Sequence, residues 1–121
     1  MNLYSRVSTG DGQDVCTETY MILVIIRMNV LSEKRTELSQ TLRSLSDSIK
    51  AEKGCRRCDF CQSLEDENRL FLLEEWDTLE NFKIHMKSIH YKVLNGAMNL
   101  LREPCEMMFH AVLHPARIEA T

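Results

Sequence analysis

Glu74-x-Trp76, His85, His90 and Tyr91 form the densest group of chemically capable side chains in this sequence. Imidazole changes charge near neutral pH, so His85 or His90 can act as a general base or hold a substrate oxygen. Glu74 adds a carboxylate, and Trp76 and Tyr91 add aromatic walls. His85 and Ile89 are four apart and share a helical face. His90 lies five beyond His85, about 140° around an ideal helix, and returns to the same cleft only if the helix breaks near residues 88–91. Histidines at this spacing also occur as plain surface residues, and spacing alone leaves that reading open. A pocket histidine is not a core residue, so replacing His85 is expected to leave melting nearly unchanged.

Cys55-x2-Cys58-x2-Cys61, with Cys105 as a fourth thiol, has a spacing like that of iron–sulfur ligands. Residues 55–64 read as a strand, however, and alternation then turns Cys55 and Cys61 one way and Cys58 the other. Three sulfurs on opposite faces cannot meet one cluster, and Pro104 precedes Cys105 instead of following it. Structural, reduced cysteines and no metal are expected, with Cys58 set apart in reactivity. Arg27 can bind an anionic substrate oxygen or pair with Glu74 or Glu75. His110 shares strand parity with Glu106, Met108 and His114. It joins a substrate cavity if that face lines one, and would need a hydrogen-bond partner if it faced helices instead; the cavity is the expectation. Met86, Met98, Met107 and Met108 read as adaptable core packing.

The elements that must position these groups come from a chain of 121 residues, 44% hydrophobic and 27% charged, with four Gly and two Pro. That length suits one domain able to bury roughly two-thirds of its unfolded surface. The net charge of −3 provides no basic field for a nucleic acid. The longest apolar run, residues 20–26, is far too short for a membrane span, and no secretory leader is visible. A cytoplasmic protein with reduced cysteines is expected, with neither nucleic acid nor membrane as partner. Residues 1–19, rich in Ser, Thr, Gly and Asp, read as a flexible N-terminal arm, residues 20–114 as the domain and residues 115–121 as a tail. Met21 is an alternative start.

Residues 20–30 are apolar at Ile22, Val24, Ile26, Met28 and Val30 and predict a buried strand whose even face packs on helices. Ser32 is the expected N-cap of a helix carrying the stripe Leu38, Leu42, Leu45 and Ile49 and stopping at Gly54. Residues 55–64 and 69–76 form a hairpin. Asp77 with Glu80 has capping-box spacing, with Thr78 as the other possible cap. The second helix carries Leu79, Phe82, Met86 and Ile89, then Val93, Leu94, Ala97, Met98 and Leu101, until Pro104. Residues 105–113 are the last strand. The order β-α-β-β-α-β predicts an α+β, ferredoxin-like split βαβ fold with a four-stranded antiparallel sheet and helices on one face. The other face, with Leu23 and Ile25, is too apolar to stay wet. Two subunits should therefore pack it into a dimeric α+β barrel.

The stretch GCRRCDFCQSLEDENRLFLLEEWDTLENFKIHMKSIHYKVL resembles the core of the antibiotic biosynthesis monooxygenase superfamily, above all its small quinol-monooxygenase-like members. The shared pattern is Gly54-Cys55 opening a strand, Glu74-x-Trp76 closing the next, His85 nine residues on, and His90 five later followed by bulky Tyr91. The resemblance spans about residues 20–114. It implies dimeric α+β barrels that oxidise electron-rich aromatics with O2 and need no metal or flavin. Heme-degrading members use an Asn, a Trp and a His where this chain has about Ile26, His85 and Asn95, so heme degradation is not expected.

The expected function is a cofactor-independent monooxygenase acting on a small quinol-like or polyphenolic aromatic. His85, placed ahead of His90, would be the base. Trp76, Tyr91, Glu74, Arg27 and His110 would contact substrate, with the aromatics excluding water from the barrel. The alternatives are a non-catalytic small-molecule binding or regulatory module on the same barrel and a sugar-phosphate isomerase. The last would want cations in the cavity, where Arg27 is the one obvious supplier.

Overall fold

Alternation of large apolar side chains on three neighbouring strands dictates a sheet with one face sealed by helices, and the computed structural model has that form. It describes residues 4–8, 14–18 and 20–113. The elements are β1 (Tyr4–Ser8), β2 (Asp14–Glu18), β3 (Tyr20–Asn29), α1 (Arg35–Lys50), β4 (Cys55–Gln62), β5 (Arg69–Trp76), α2 (Leu79–His85), α3 (Ile89–Ala97) and β6 (Glu106–Leu113). β3 to β6 form an antiparallel sheet in the order β4-β5-β3-β6, the split βαβ arrangement expected. β1 and β2 pair in a separate two-stranded sheet. The arm expected over residues 1–19 thus contains paired backbone, favoured by the β-branched Val7, Val15 and Thr17. His114 and the tail lie outside the described residues.

Residues opposite each other in a ladder point to the same side. One side carries Ile22, Val24, Ile26 and Met28 of β3 and Leu70, Leu72, Glu74 and Trp76 of β5, all buried under the helices. The α1 stripe Leu38, Leu42, Leu45 and Ile49 closes over it. Each such aliphatic side chain contributes roughly 1.5–3 kcal/mol by leaving water. The other side carries Leu23, Ile25 and Arg27, flanked by Glu75, Leu73 and Phe71 on β5 and by His110, Met108 and Glu106 on β6. No helix of the described residues is long and apolar enough to cross a membrane.

Four local expectations change. Ser32 does not cap α1: residues Ser32–Lys34 form a 3-10 turn, and the Ser32 hydroxyl accepts from Asn68 Nδ2 at 2.9 Å. Ile89 and Val93 are exposed (66% and 45%) rather than core. α2 ends at His85 and α3 restarts after the Ser88 cap, which resets the helical phase. The second helix ends at Ala97, before Pro104, and a 3-10 turn follows it. The cysteines do not alternate as expected, because β4 pairs Cys55 with Trp76 but Arg57 with Glu75 and Cys58 with Glu74. Arg56 is the extra residue of a β-bulge. Cys55 and Cys58 therefore share the helix side, and Cys61, opposite Phe71, stands apart on the other.

Candidate active site

β5 places Glu74 where its alternation calls for an apolar residue, next to Trp76, and the two are 1% and 0% exposed. The Trp76 Nε1–H donates to Glu74 Oε1 at 2.8 Å. Thr78 caps α2 by accepting from the Asn81 backbone N–H, and the last turn of α2 lays His85 on Trp76, ring centroids 4.5 Å apart. His85 Nε2 lies 3.5 Å from Glu74 Oε1. The Ser88 hydroxyl then accepts from Tyr91 N and starts α3 in a new direction. The break has a local cause: Ser88 N–H bonds back to His85 O, and its side chain offers a fresh cap. His90 is thereby turned back toward His85. Tyr91 meets the His85 ring edge-on at 5.7 Å, and its hydroxyl lies 4.0 Å from Met107 Sδ.

The residue that ties the two imidazoles together was not anticipated from sequence. Glu52 Oε2 lies 2.9 Å from His85 Nδ1 and 3.2 Å from His90 Nδ1. Glu52 sits in the turn between α1 and β4, its N–H donating to Ile49 O and its carbonyl accepting from Cys55 N. Gly54, at φ +86, lets that turn press on the start of α2: a Cβ there would lie 2.5 Å from Asp77 Oδ1 and 2.6 Å from Asn81 Cβ. Asp77 N–H donates to Gly54 O at 2.9 Å, fastening the two loops. Cys55 pairs with Trp76, so the turn that precedes β4 lies at the Trp76 end of β5; no local pattern in the sequence marks Glu52.

Side-chain exposure rises along this chain of polar groups, from 1% at Glu74 and His85 to 15% at Glu52 and 34% at His90. Burial pushes the Glu74 carboxyl above its ordinary range; the Trp76 donor and His85 pull it down, and Glu52 adds to the rise. Burial, then Glu74 and Glu52, pushes the Cys55 thiol up to about 11. Cys58 is pushed up for the same leading reason. Both are poor nucleophiles at neutral pH, so the acid–base groups of this site are the imidazoles and carboxylates. Among the described residues no group of three or more His, Cys, Asp or Glu is placed to hold a metal ion.

Glu74, Trp76, His85, His90 and Tyr91 are therefore brought together, under the helices rather than inside a barrel between sheets. Arg27 and His110 are not part of this group. Both lie on the open face, His110 opposite Leu23. Arg27 lies 4.0 Å from Glu106 Oε2, not against Glu74 or Glu75, because Glu106 is its ladder neighbour on β6 while Glu74 faces the other way. Two grooves among the described residues lie elsewhere. One of about 680 Å³ runs between α1 and β4, and one of about 380 Å³ lies beside Arg27, Arg69 and Phe71.

Residues 21–96 match the family described as antibiotic biosynthesis monooxygenase. No curated protein matches the chain. Among solved structures, a conserved protein from Methanosarcina mazei Go1 is 27% identical, with a TM-score of 0.72 over 76% of this chain and 92% of its own. A protein from Mycobacterium tuberculosis is 26% identical, with a TM-score of 0.73 over 80% of this chain and 99% of its own. A third, from Nitrosomonas europaea and named as a candidate antibiotic biosynthesis monooxygenase, is 22% identical at a TM-score of 0.71, over 77% of this chain and 99% of its own, a likeness of fold.

Proposed function

The chain belongs to the antibiotic biosynthesis monooxygenase family, and on that premise we propose that it is a cofactor-independent monooxygenase for a small quinol-like or polyphenolic aromatic. The observation that carries this reading is the polar chain Trp76–Glu74–His85–Glu52–His90, which runs from the buried stack to a part-exposed imidazole. His90, and not His85, is the base that meets the substrate. His85 is 1% exposed, with a carboxylate oxygen near each ring nitrogen. His90 is held through Nδ1, and its Nε2 bonds to no described residue. His90 Nε2 takes the phenolic proton, the phenolate gives an electron to O2, and the two radicals couple at carbon. Return of that proton to the outer peroxide oxygen, loss of the hydrogen on the coupled carbon as a second proton and cleavage of the O–O bond leave a carbonyl and release water. In balance, RH2 + O2 gives R=O + H2O, with every electron drawn from the substrate. Trp76 and Tyr91 pack on His85 and keep water from the inner end of the polar chain.

The assembly proposed with this activity is a homodimer packed through the open face, in the cytoplasm. Apolar Leu23, Ile25, Phe71, Leu73 and Met108 on that face support it. Arg27, the cation a sugar-phosphate isomerase would need at this site, stands on the opposite side of the sheet. Oxygen uptake with a panel of quinols tests the activity. One O2 consumed per quinol is expected, and His90→Ala should lower kcat by roughly 10²–10⁴. Turnover that survives His90→Ala sinks the assigned base. A wild type that oxidises no member of the panel sinks the monooxygenase reading in favour of a binding or regulatory module.

A further inference from the structure

Two imidazoles reach one oxygen atom in this site. His85 Nδ1 and His90 Nδ1 lie 2.9 and 3.2 Å from Glu52 Oε2, and the three side chains come from three separate elements: α2, α3 and the turn after α1. A carboxylate oxygen only accepts, so each ring nitrogen facing it must carry the proton. We propose that Glu52 is the positioning residue of this site, holding both rings as their Nδ1–H tautomers and so presenting Nε2 of His90 as the basic nitrogen. This rests on the reading above for its consequence in catalysis, though not for its structural content.

The tautomer decides function because an imidazole carrying its proton on Nε2 presents a donor, not a base, to a phenol. A carboxylate behind the ring also stabilises the imidazolium formed during the reaction. Glu52 is fitted to this by its backbone, pinned at both ends through Ile49 O and Cys55 N, with Gly54 seating the turn against α2. The other titratable or charged groups packed about the cluster are Lys50 of α1, Cys55 and Cys58 of β4, Glu74 of β5 and Tyr91 of α3. Of the carboxyl groups among them, Glu74 lies 3.5 Å from Nε2 of His85, the opposite nitrogen; burial favours its protonated form, which donates toward that nitrogen while Glu52 accepts from Nδ1. Glu52 alone therefore addresses both Nδ1 atoms.

The test is ring-nitrogen NMR of the full chain at a pH where both imidazoles are neutral, which needs no turnover. In the wild type, both His85 and His90 should show a protonated Nδ1. An Nε2–H tautomer on His90 overturns the proposal, whatever the variants do. In Glu52→Gln, whose amide can donate as well as accept, His90 should become a mixture of tautomers. His90 keeping Nδ1–H unchanged in that variant also overturns it. With an oxidisable quinol, Glu52→Gln should lower kcat by roughly 10–100-fold with KM little changed. If the wild type oxidises nothing, the monooxygenase reading fails while the tautomers still decide the role of Glu52.

Discussion

The two faces of the sheet are built from the same strands by alternate residues, yet they do opposite things with their polar groups. Under the helices, Glu74 and His85 are 1% exposed, and each is matched to a partner within 3.5 Å. On the open face, Arg27 and Glu106 are 56% and 60% exposed and only 4.0 Å apart. The buried groups are obligatory partners, because a charge left alone there has no water to turn to. The open-face groups are interchangeable, because solvent can replace either. The helix side is therefore where the protein can orient a proton with little screening, and the other face leaves Leu23, Ile25, Leu73 and Met108 uncovered by helices.

The largest effect should come from breaking the buried side. His85→Ala strips Glu74 and Glu52 of their shared ring and opens a gap against Trp76. A buried charge left without its partner costs ~3 kcal/mol or more, which for a domain of this size lowers Tm by about 10 °C or more. Thermal unfolding by circular dichroism measures it. This reverses the sequence-based expectation that His85 is replaceable at little cost: the ring is as buried as any core residue. A melting curve within a few degrees of wild type would mean that the cluster is not the tightly coupled unit described.

The open face should respond differently to an equally drastic change. Leu23→Lys puts a charge where Leu23 is only part-buried in a single chain, so the fold should persist. Sedimentation should then give the 14.1 kDa monomer where the wild type gives twice that mass. An unchanged mass would show that copies do not meet through this face. An unfolded variant would show that the face belongs to the monomer's own core.

A smaller effect follows from Glu74. Its carboxyl holds a proton more tightly in the folded chain than in the unfolded one, mainly because it is buried. At low pH both states are protonated and the fold bears no penalty. As pH climbs through the ordinary carboxylate range and on through the higher folded one, the unfolded chain ionises first and stability falls. Glu74→Gln removes this component. The Tm of wild type minus that of Glu74→Gln should therefore shrink as pH rises from about 4 to 7. A difference that grows with pH would mean that Trp76 and His85 outweigh burial.

How far these faces could be read from sequence depends on whether the signal was local. The alternation at Ile22, Val24 and Ile26 and the α1 stripe are each legible in a short window, and the structure has them. At the start of α2 the second of the two candidate caps holds, Thr78 and not Asp77 with Glu80. The break at Ser88 was legible as an irregularity, though not its consequence that Ile89 and Val93 turn outward. The Arg56 bulge was invisible because one unpaired residue leaves no mark on composition, yet it reverses which cysteines share a face. Glu52 was missed for a different reason. Its role depends on two contacts 33 and 38 residues away, and at the end of a helix an acid flanked by lysines reads as solvated. The expected pairing of Arg27 with Glu74 or Glu75 fails because the ladder sets Phe71 of β5 opposite Arg27, while its acid, Glu106, comes from β6 on the other side.

The smallest expected effect sharpens the comparison most cleanly. If the open face is as solvent-like as the exposures of Arg27 and Glu106 indicate, their mutual interaction in a single chain should be slight. A 4.0 Å approach without bidentate geometry, between two side chains more than half exposed, is an ion pair that solvent and salt screen. Arg27 also lies 5.9 Å from the Phe71 ring centroid, a contact that survives loss of Glu106. A double-mutant cycle of Arg27→Ala and Glu106→Ala, measured by urea unfolding in the monomeric Leu23→Lys background, should give a coupling below about 0.5 kcal/mol. It should weaken further at 1 M salt, where screening acts over about 3 Å. A coupling of 2 kcal/mol, insensitive to salt, would place the open face in the same dielectric class as the Glu74–His85 side, and the contrast between the two faces would fail.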